Sequence, residues 1–266
     1  MSLIISIRTY EGIVMASDSR ATSSINVSNG HREIHFSDTS YKTFCLGARF
    51  GISTCGDAQV RGRSIAHWMR IFEKEQFNNN WSVLSLAQNL GTFFAGLKPA
   101  GGVVFHIAGY EVEAESTLVP ATYRVYVLSN GAAEIDPRGR GPGALWDGET
   151  ETLSRLIKGA LLVEKNDIIK MDMLTQTSED ENGNKRTSEL RNYNAVPGGC
   201  TYFPSARIDF DCFTLQDAVD FAKYAIKTTI ETIKFKAQSL TVSEPIDILV
   251  IDEEGAHWLA CKELHA

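Results

Sequence analysis

The sequence lacks any apolar run long enough to cross a membrane. A spanning helix needs about 18 consecutive apolar residues or more, and the apolar runs here, such as residues 3–8, are much shorter. The first residues also lack the basic segment of a secretory signal, and Arg8 and Glu11 follow within a few positions. These features exclude a membrane-spanning helix and predict a cytoplasmic protein.

An excess of positive charge is missing too. The chain has 26 Lys and Arg against 33 Asp and Glu, which gives a net charge of −7. A field of this sign repels the phosphates of nucleic acids and the head groups of anionic lipids. We therefore expect neither nucleic acid nor a membrane surface as the main partner.

Cysteines are few and unpaired in the sequence. The five cysteines are scattered singly, with no C-x-x-C pair and no cluster of histidines beside them. This pattern is untypical of zinc sites, and the odd number is untypical of a disulfide framework. It predicts a reduced compartment, no metal and no other cofactor. Apolar residues make up 43% of the 266 residues, enough for a sizeable core.

The hydrophobic pattern predicts strands, two helices, strands, two helices and strands again. Apolar residues at helical spacing predict helices over 58–76, 82–96, 146–161 and 215–235. Short β-type runs predict strands at 3–8, 13–17, 42–47, 50–55, 102–109, 122–128, 131–135, 246–251 and 257–261. One domain over 1–266, in which two sheets face each other between helix layers, accommodates this order.

Two polar segments are predicted as additions to that domain. Residues 23–41 read as a loop or an excursion of the sheet, with Asn29-Gly30 inside. Residues 175–199 are rich in charged and amide residues and end in Pro197-Gly198-Gly199, which is typical of a long exposed loop or hairpin.

Four positions together suggest acyl-transfer chemistry. Removal of Met1 would expose the amine of Ser2, and a terminal amine titrates near pH ~8, so it can act as general base for its own hydroxyl. A buried lysine, here Lys42, can lower the pKa of that hydroxyl, and the carboxylate of Asp18 can hold the lysine. The N–H of Gly56, near a helix start, can stabilise an oxyanion. Each residue alone has an ordinary structural interpretation, and only their combination favours catalysis.

The segments that carry these residues resemble the proteasome β subunits and their bacterial relatives, which are N-terminal nucleophile (Ntn) hydrolases. The resemblance lies in Ser2-Leu3-Ile4, in Glu11 to Thr22, and in Lys42 to Ala58, with the family's separations from Ser2 to Asp18 and from Lys42 to Gly56. It implies an α+β fold, a four-layer αββα sandwich of two antiparallel sheets between helix layers. It also implies a peptidase with Ser2 as nucleophile, Asp18, Lys42 and Gly56 as its partners, and self-association into a ring.

The sequence departs from the family pattern at three places. Serine stands first where the family mostly has threonine. The family's accessory Gly-Ser-Gly turn aligns with Gly141-Pro142-Gly143, where Pro142 has no hydroxyl. The family's late Asp and Ser fall in residues 239–244, which contain Ser239 and Ser243 but no aspartate.

Three functions stay open at this point. The first is hydrolysis of peptide or other amide bonds through an acyl-enzyme on Ser2, which requires that Met1 be removed. The second is a non-catalytic ring or scaffold subunit, which Pro142 and the missing late aspartate favour. The third is a non-peptidase amidohydrolase on the same fold, since a fold alone does not determine the substrate.

Overall fold

The structure is a computed structural model that describes residues 2–26, 32–112, 117–137, 141–158, 173–179, 185–191, 208–236 and 239–263. The chain divides into two compact units. The first contains Met1–Thr152 and Asp209–Ala266, and the second contains Leu153–Ile208. The prediction of one domain over 1–266 stays a prediction.

The first unit contains two five-stranded antiparallel sheets and three helices among its described residues. Its strands are β1 (Leu3–Arg8), β2 (Ile13–Ser17), β3 (Ala21–Asn26), β4 (Arg32–Ser37), β5 (Thr43–Leu46), β6 (Phe50–Gly56), β7 (Gln59–Val60), β8 (Arg63–Ser64), β9 (Val103–Val112), β10 (Leu118–Val127), β11 (Ala133–Pro137), β12 (Gly143–Gly148), β15 (Asp247–Asp252) and β16 (Gly255–Ala260). Its helices are α1 (Ile65–Glu75), α2 (Val83–Leu97) and α4 (Leu215–Ile233), and a 3-10 turn spans Phe210–Cys212. Helix α3 (Glu151–Lys158) begins at the end of this unit.

The two sheets lie face to face. One has the strand order β12-β1-β2-β15-β16, and the other has the order β11-β10-β9-β6-β5. Every residue of β1 and β2 is buried, because α4 packs on one side of this sheet and β6 packs on the other. That double burial explains why both strands are nearly continuous apolar runs rather than alternating ones.

Helices cover the outer face of each sheet. Helix α2 packs on β9 and β10, and α1 contributes Met69 and Phe72 to the same core cluster as Phe50 of β6. Serine side chains cap both helices at their first turns, and Thr214 with Asp217 forms the predicted capping box of α4. The layers are therefore helix, sheet, sheet, helix, and the predicted four-layer αββα sandwich is confirmed.

Two helix predictions were wrong at their starts. Residues 59–64 form the small hairpin β7–β8, and α1 begins only at Ile65, because Ser64 caps it there. Residues 143–148, which include the start of the predicted 146–161 helix, form β12 and pair with β1. Pairing along the edge of a sheet overrides the local apolar spacing in this segment.

The two polar segments contain hairpins. Within 23–41, β3 and β4 pair in antiparallel fashion and form a separate two-stranded sheet, so this segment is more regular than the predicted loop. In the second unit, β13 (Met173–Glu179) pairs with β14 (Lys185–Arg191). The rest of the 175–199 prediction lies outside the described residues.

Polar side chains connect the inner faces of the two sheets. The hydroxyl of Thr43, on β5, donates to Ser17 Oγ on β2 over 2.9 Å. On the other side, His106 Nδ1 of β9 lies 3.0 Å from Ser6 Oγ of β1, and His106 Nε2 lies 2.7 Å from the carboxylate of Asp147 on β12. All but Asp147 are buried. The sheets are thus joined by directional contacts in addition to apolar packing.

Candidate active site

The hairpin of β1 and β2 brings Ser2 and Asp18 to the same end of the first sheet. Its register pairs Ile4 with Ser17, and the Asp18 N–H donates to the Leu3 carbonyl over 3.2 Å. At the turn, Thr9 Oγ1 accepts from the N–H groups of Glu11 and Gly12. The separation of the two site residues in the sequence is therefore converted into proximity by one tight turn.

Asp18 is completely buried, and its carboxylate is held by several donors. Oδ1 accepts from the Leu3 N–H at 2.8 Å, and Oδ2 accepts from the Arg20 N–H at 2.9 Å. The N–H of Ser243 approaches Oδ2 at 3.3 Å. These bonds satisfy a charge that would otherwise be costly to bury, and they leave Oδ1 directed at the lysine described next.

Lys42 forms an ion pair with this carboxylate. Its Nζ lies 2.6 Å from Asp18 Oδ1 and also donates to the carbonyl of Arg20 over 2.6 Å. Lys42 itself is held because its own carbonyl accepts from the Thr54 N–H at 2.8 Å. Burial lowers the pKa of Lys42 below its ordinary value, and the charge of Asp18 opposes that shift. The site thus contains an ammonium group whose proton is held less firmly than that of a surface lysine.

Gly56 ends β6 in a backbone conformation that requires glycine. Its φ is +104°, and a Cβ there would lie 2.5 Å from the carbonyl oxygen of Gly102. Ser2, Lys42 and Gly56 line one cavity of about 310 Å³. The structure therefore brings the four predicted residues together, three around the cavity and Asp18 behind Lys42.

Comparison with known proteins rests on structure alone. No protein-family model matches the sequence, and no curated protein matches it. Among solved structures, Anbu (ancestral beta-subunit) from Yersinia bercovieri is similar with a TM-score of 0.51 and 13% identity, over 97% of this chain and 86% of that one. An Anbu (Gly-1) mutant from Hyphomicrobium sp. strain MC1 is similar with a TM-score of 0.57 and 10% identity, over 98% and 85%.

The chain has the Ntn-hydrolase fold. Similarity at such low identity concerns the fold alone, and the chemistry depends on the residues that this fold places around the cavity.

Pro142 does not occupy the place that the sequence alignment gave it. Gly143 pairs with Arg8, so Pro142 lies at the far end of β1, roughly 20 Å from Ser2 at the usual rise per strand residue. The turn that precedes α3 in this Ntn-hydrolase fold is instead Gly148-Glu149-Thr150. The prediction that proline replaces the accessory group beside the nucleophile was wrong, because β12 separates the two turns.

Glu149 is a site residue that sequence reasoning missed. Its N–H donates to the carbonyl of Ser2 over 2.7 Å, and its side chain is buried. Thr241 Oγ1 donates to its carboxylate over 3.2 Å. The segment 239–244 does reach the site, through the backbone of Ser243. Ser239 makes no hydrogen bond with the described site residues. The position of Glu149 beside Ser2 could have been predicted only from the register of β12 against β1.

Within the described ranges, no group of three or more His, Cys, Asp or Glu is arranged to hold a metal ion. No helix in that part of the chain is long and apolar enough to cross a membrane. Cys55 also lines the cavity, but burial raises its pKa to about 12, so its thiol is protonated at neutral pH and is a poor nucleophile.

Proposed function

We propose that this chain is an Ntn hydrolase that cleaves peptide bonds through an acyl-enzyme on Ser2, after Met1 is removed. The observation that carries the proposal is the shared cavity of Ser2, Lys42 and Gly56, with Asp18 2.6 Å from the ammonium group of Lys42. A terminal hydroxyl, a buried cation and a glycine at the end of a strand are the parts that acyl transfer requires.

The reaction would proceed in two steps. The Ser2 Oγ attacks the carbonyl carbon of the substrate while the Ser2 α-amine accepts the hydroxyl proton. The C–N bond then breaks, the α-amine passes the proton to the leaving amine, and an ester on Ser2 remains. Water attacks this ester with the same amine as base, which releases the carboxylic acid and restores the hydroxyl.

The other residues act through electrostatics and position. The positive charge of Lys42 lowers the pKa of the Ser2 hydroxyl, and Asp18 keeps Lys42 in place. The N–H of Gly56 would stabilise the negative charge on the substrate oxygen during attack. Glu149, whose N–H holds the Ser2 carbonyl, fixes the backbone of the nucleophile.

Mass spectrometry tests the proposal directly. In protein expressed from its own start codon, we expect loss of Met1 and a single covalent adduct when a peptide epoxyketone is added. Ser2→Ala should keep the loss of Met1 and form no adduct. Quantitative retention of Met1, or equal labelling of Ser2→Ala, contradicts the proposal.

A peptide substrate and self-association belong to the same proposal. Exposed apolar side chains, among them Tyr10, Phe235 and Leu259, give the described surface sites where a second copy could pack. Light scattering after size exclusion should show an assembly larger than a monomer, and a monomer at micromolar concentration would contradict the proposed self-association.

The amidohydrolase alternative is tested by comparing cleavage of peptides with cleavage of small acyl amides. Failure of both to react would favour the scaffold alternative.

A further inference from the structure

A second buried ion pair lies beside the pair of Lys42 and Asp18. Lys262, which follows β16, pairs through its Nζ with the carboxylate of Asp247 on β15. The side chain of Lys262 is 6% exposed, and that of Asp247 is 0% exposed. The backbone N–H of Lys262 also donates to Asp247 Oδ1 over 2.8 Å. The reaction described above gives neither residue a role.

The strand register brings the two ion pairs together. Asp247 lies opposite Ser17, the last residue of β2 before the carboxylate of the site. Ser17 Oγ accepts from Thr43 of the other sheet, and opposite residues of a ladder point to the same face, so Asp247 also faces that sheet. Thr43 follows Lys42 directly in the chain. The two ion pairs are therefore neighbours, and the positive charge of Lys262 acts on Lys42.

Lys262 also holds the residue that precedes Lys42. Its Nζ lies 4.9 Å from the centroid of the Tyr41 ring, which is within the range of a cation–π contact. The Tyr41 hydroxyl donates to the carbonyl of Lys262 over 3.2 Å. One residue earlier, the Ser40 N–H donates to the carbonyl of Ser19 over 3.1 Å. These contacts restrict the backbone from which the Lys42 side chain extends.

Stability alone does not explain charged residues at these two positions. Burying an ion pair costs desolvation, and well-packed apolar residues of similar volume often stabilise a fold equally well or better. A second buried cation also repels the ammonium group of Lys42. An apolar pair would connect the end of β16 to β15 without that repulsion. The charges are better explained by an effect on Lys42.

We infer that Lys262, held by Asp247, is a positioning residue that fixes the ammonium group of Lys42 in the active site. It acts on Lys42 in two ways. Its contacts with Tyr41 restrict the backbone, and its positive charge lowers the pKa of Lys42. This inference rests on the proposed function, because it takes Lys42 as part of the catalytic machinery. It extends that machinery to the segment that follows β16.

Other groups also determine how firmly Lys42 holds its proton. The charged or titratable groups that face it are the Ser2 amine once Met1 is removed, Asp18, Arg20, Asp38, Cys55 and Lys262. Burial lowers the pKa of Lys42 most, Asp18 opposes this shift, and the charge of Lys262 adds to it. Neutralising Lys262 and Asp247 together leaves the other groups in place, so a change in the pKa of Lys42 can be assigned to this pair.

Replacing the pair by neutral side chains tests the inference. In Lys262→Met with Asp247→Asn, kcat on a fluorogenic peptide should fall roughly tenfold with KM within about twofold of the wild type. The alkaline midpoint, the pH at which kcat/KM has fallen by half as pH rises, should increase by about one unit. Lys234→Met with Glu231→Gln, which removes an exposed ion pair of α4, is the control and should change neither quantity. A fall in kcat with an unchanged midpoint, or no change in either, overturns the inference.

A second variant tests the contacts without removing a charge. Urea unfolding shows whether the protein that lacks the ion pair still folds, and if it does not, Tyr41→Leu decides the outcome. This change removes both the ring and the hydroxyl that contact Lys262. It should lower kcat several-fold and leave the alkaline midpoint where it is in the wild type, because Lys262 and its charge remain. A Tyr41→Leu protein with the wild-type kcat overturns the inference.

A titration that needs no activity separates this inference from the proposed function. Ser2→Ala protein is isotopically labelled at the lysine Cε atoms, and NMR follows their chemical shifts with pH; the Lys42 signal is the one absent from Lys42→Arg. A higher Lys42 midpoint after loss of the ion pair, together with no hydrolysis by the wild type, refutes the catalytic proposal and keeps the coupling of the two lysines. Hydrolysis by the wild type with an unchanged Lys42 midpoint does the reverse. Neither hydrolysis nor a change in midpoint refutes both.

Discussion

Replacing Lys42 with methionine tests how far the buried ion pair supports the fold as well as the chemistry. Methionine has a similar length and no charge, so it leaves Asp18 as a carboxylate without its cation. Asp18 is 0% exposed, and it would retain only the backbone donors at Leu3 and Arg20 and the longer contact from Ser243. Those dipoles do not replace a full positive charge 2.6 Å away.

The expected loss of stability follows from this burial. Removing one partner of a buried ion pair costs about 3–5 kcal/mol, because the other charge stays buried and uncompensated. In the double variant, which carries Asp18→Asn in addition to Lys42→Met, that charge is removed. The remaining cost is the amide N–H facing the Arg20 N–H, on the order of 1–3 kcal/mol. The double variant should therefore be more stable than Lys42→Met alone, by roughly 2 kcal/mol.

Urea unfolding of the wild type, Lys42→Met, Asp18→Asn and the double variant measures these differences as a double-mutant cycle. Lys74→Met, at an exposed position of α1, should stay within about 0.5 kcal/mol of the wild type. A Lys42→Met protein within about 1 kcal/mol of the wild type would refute the reasoning. So would a double variant less stable than Lys42→Met, because the uncompensated carboxylate would then not be the cause.

Three further predictions concern the cavity. Gly148→Ala should lower kcat/KM roughly 100-fold. The φ of Gly148 is +97°, and a Cβ there would lie 1.7 Å from the backbone oxygen of Ser2, so the nucleophile would have to move. Gly62→Ala, where a Cβ meets only open space, is the matched control for substitution at positive φ. Iodoacetamide at pH 8 should modify exposed Cys212 and leave Cys55 unmodified by peptide mass mapping, because burial raises the Cys55 pKa to about 12. As pH rises, kcat/KM should decrease with a midpoint below 10.5, the ordinary lysine pKa, because Lys42 acts while protonated and burial lowers its pKa. A midpoint at or above pH 10.5 would contradict this role of Lys42.

The four candidate residues lie near one another because of two short hairpins. A tight hairpin fixes Ser2 against Asp18, and the pairing of Thr43 with Ser53 in the next hairpin brings Lys42 beside the end of β6. Both relations depend on short-range turns, whose registers can be derived from apolar runs and the residues between them.

The parts that sequence reasoning missed depend on contacts between distant segments. The sequence alignment put Pro142 in the family's accessory turn, because the sequence does not reveal that β12 pairs with β1 before α3 begins. Glu149 and Thr241 meet across 92 positions. Such positions gain meaning only when the register of non-adjacent strands is known.

The directional contacts between the two sheets have a further consequence. Ser2 and Asp18 directly adjoin strands β1 and β2 of one sheet, whereas Lys42 adjoins β5 and Gly56 ends β6 of the other. The site therefore exists only while the sheets keep one relative alignment. Apolar faces alone would tolerate a sideways slip, whereas the bond from Thr43 to Ser17 does not. Natural selection for activity would therefore also act on buried hydroxyl and imidazole side chains that never contact a substrate. In related sequences, these residues should be substituted as rarely as the catalytic residues.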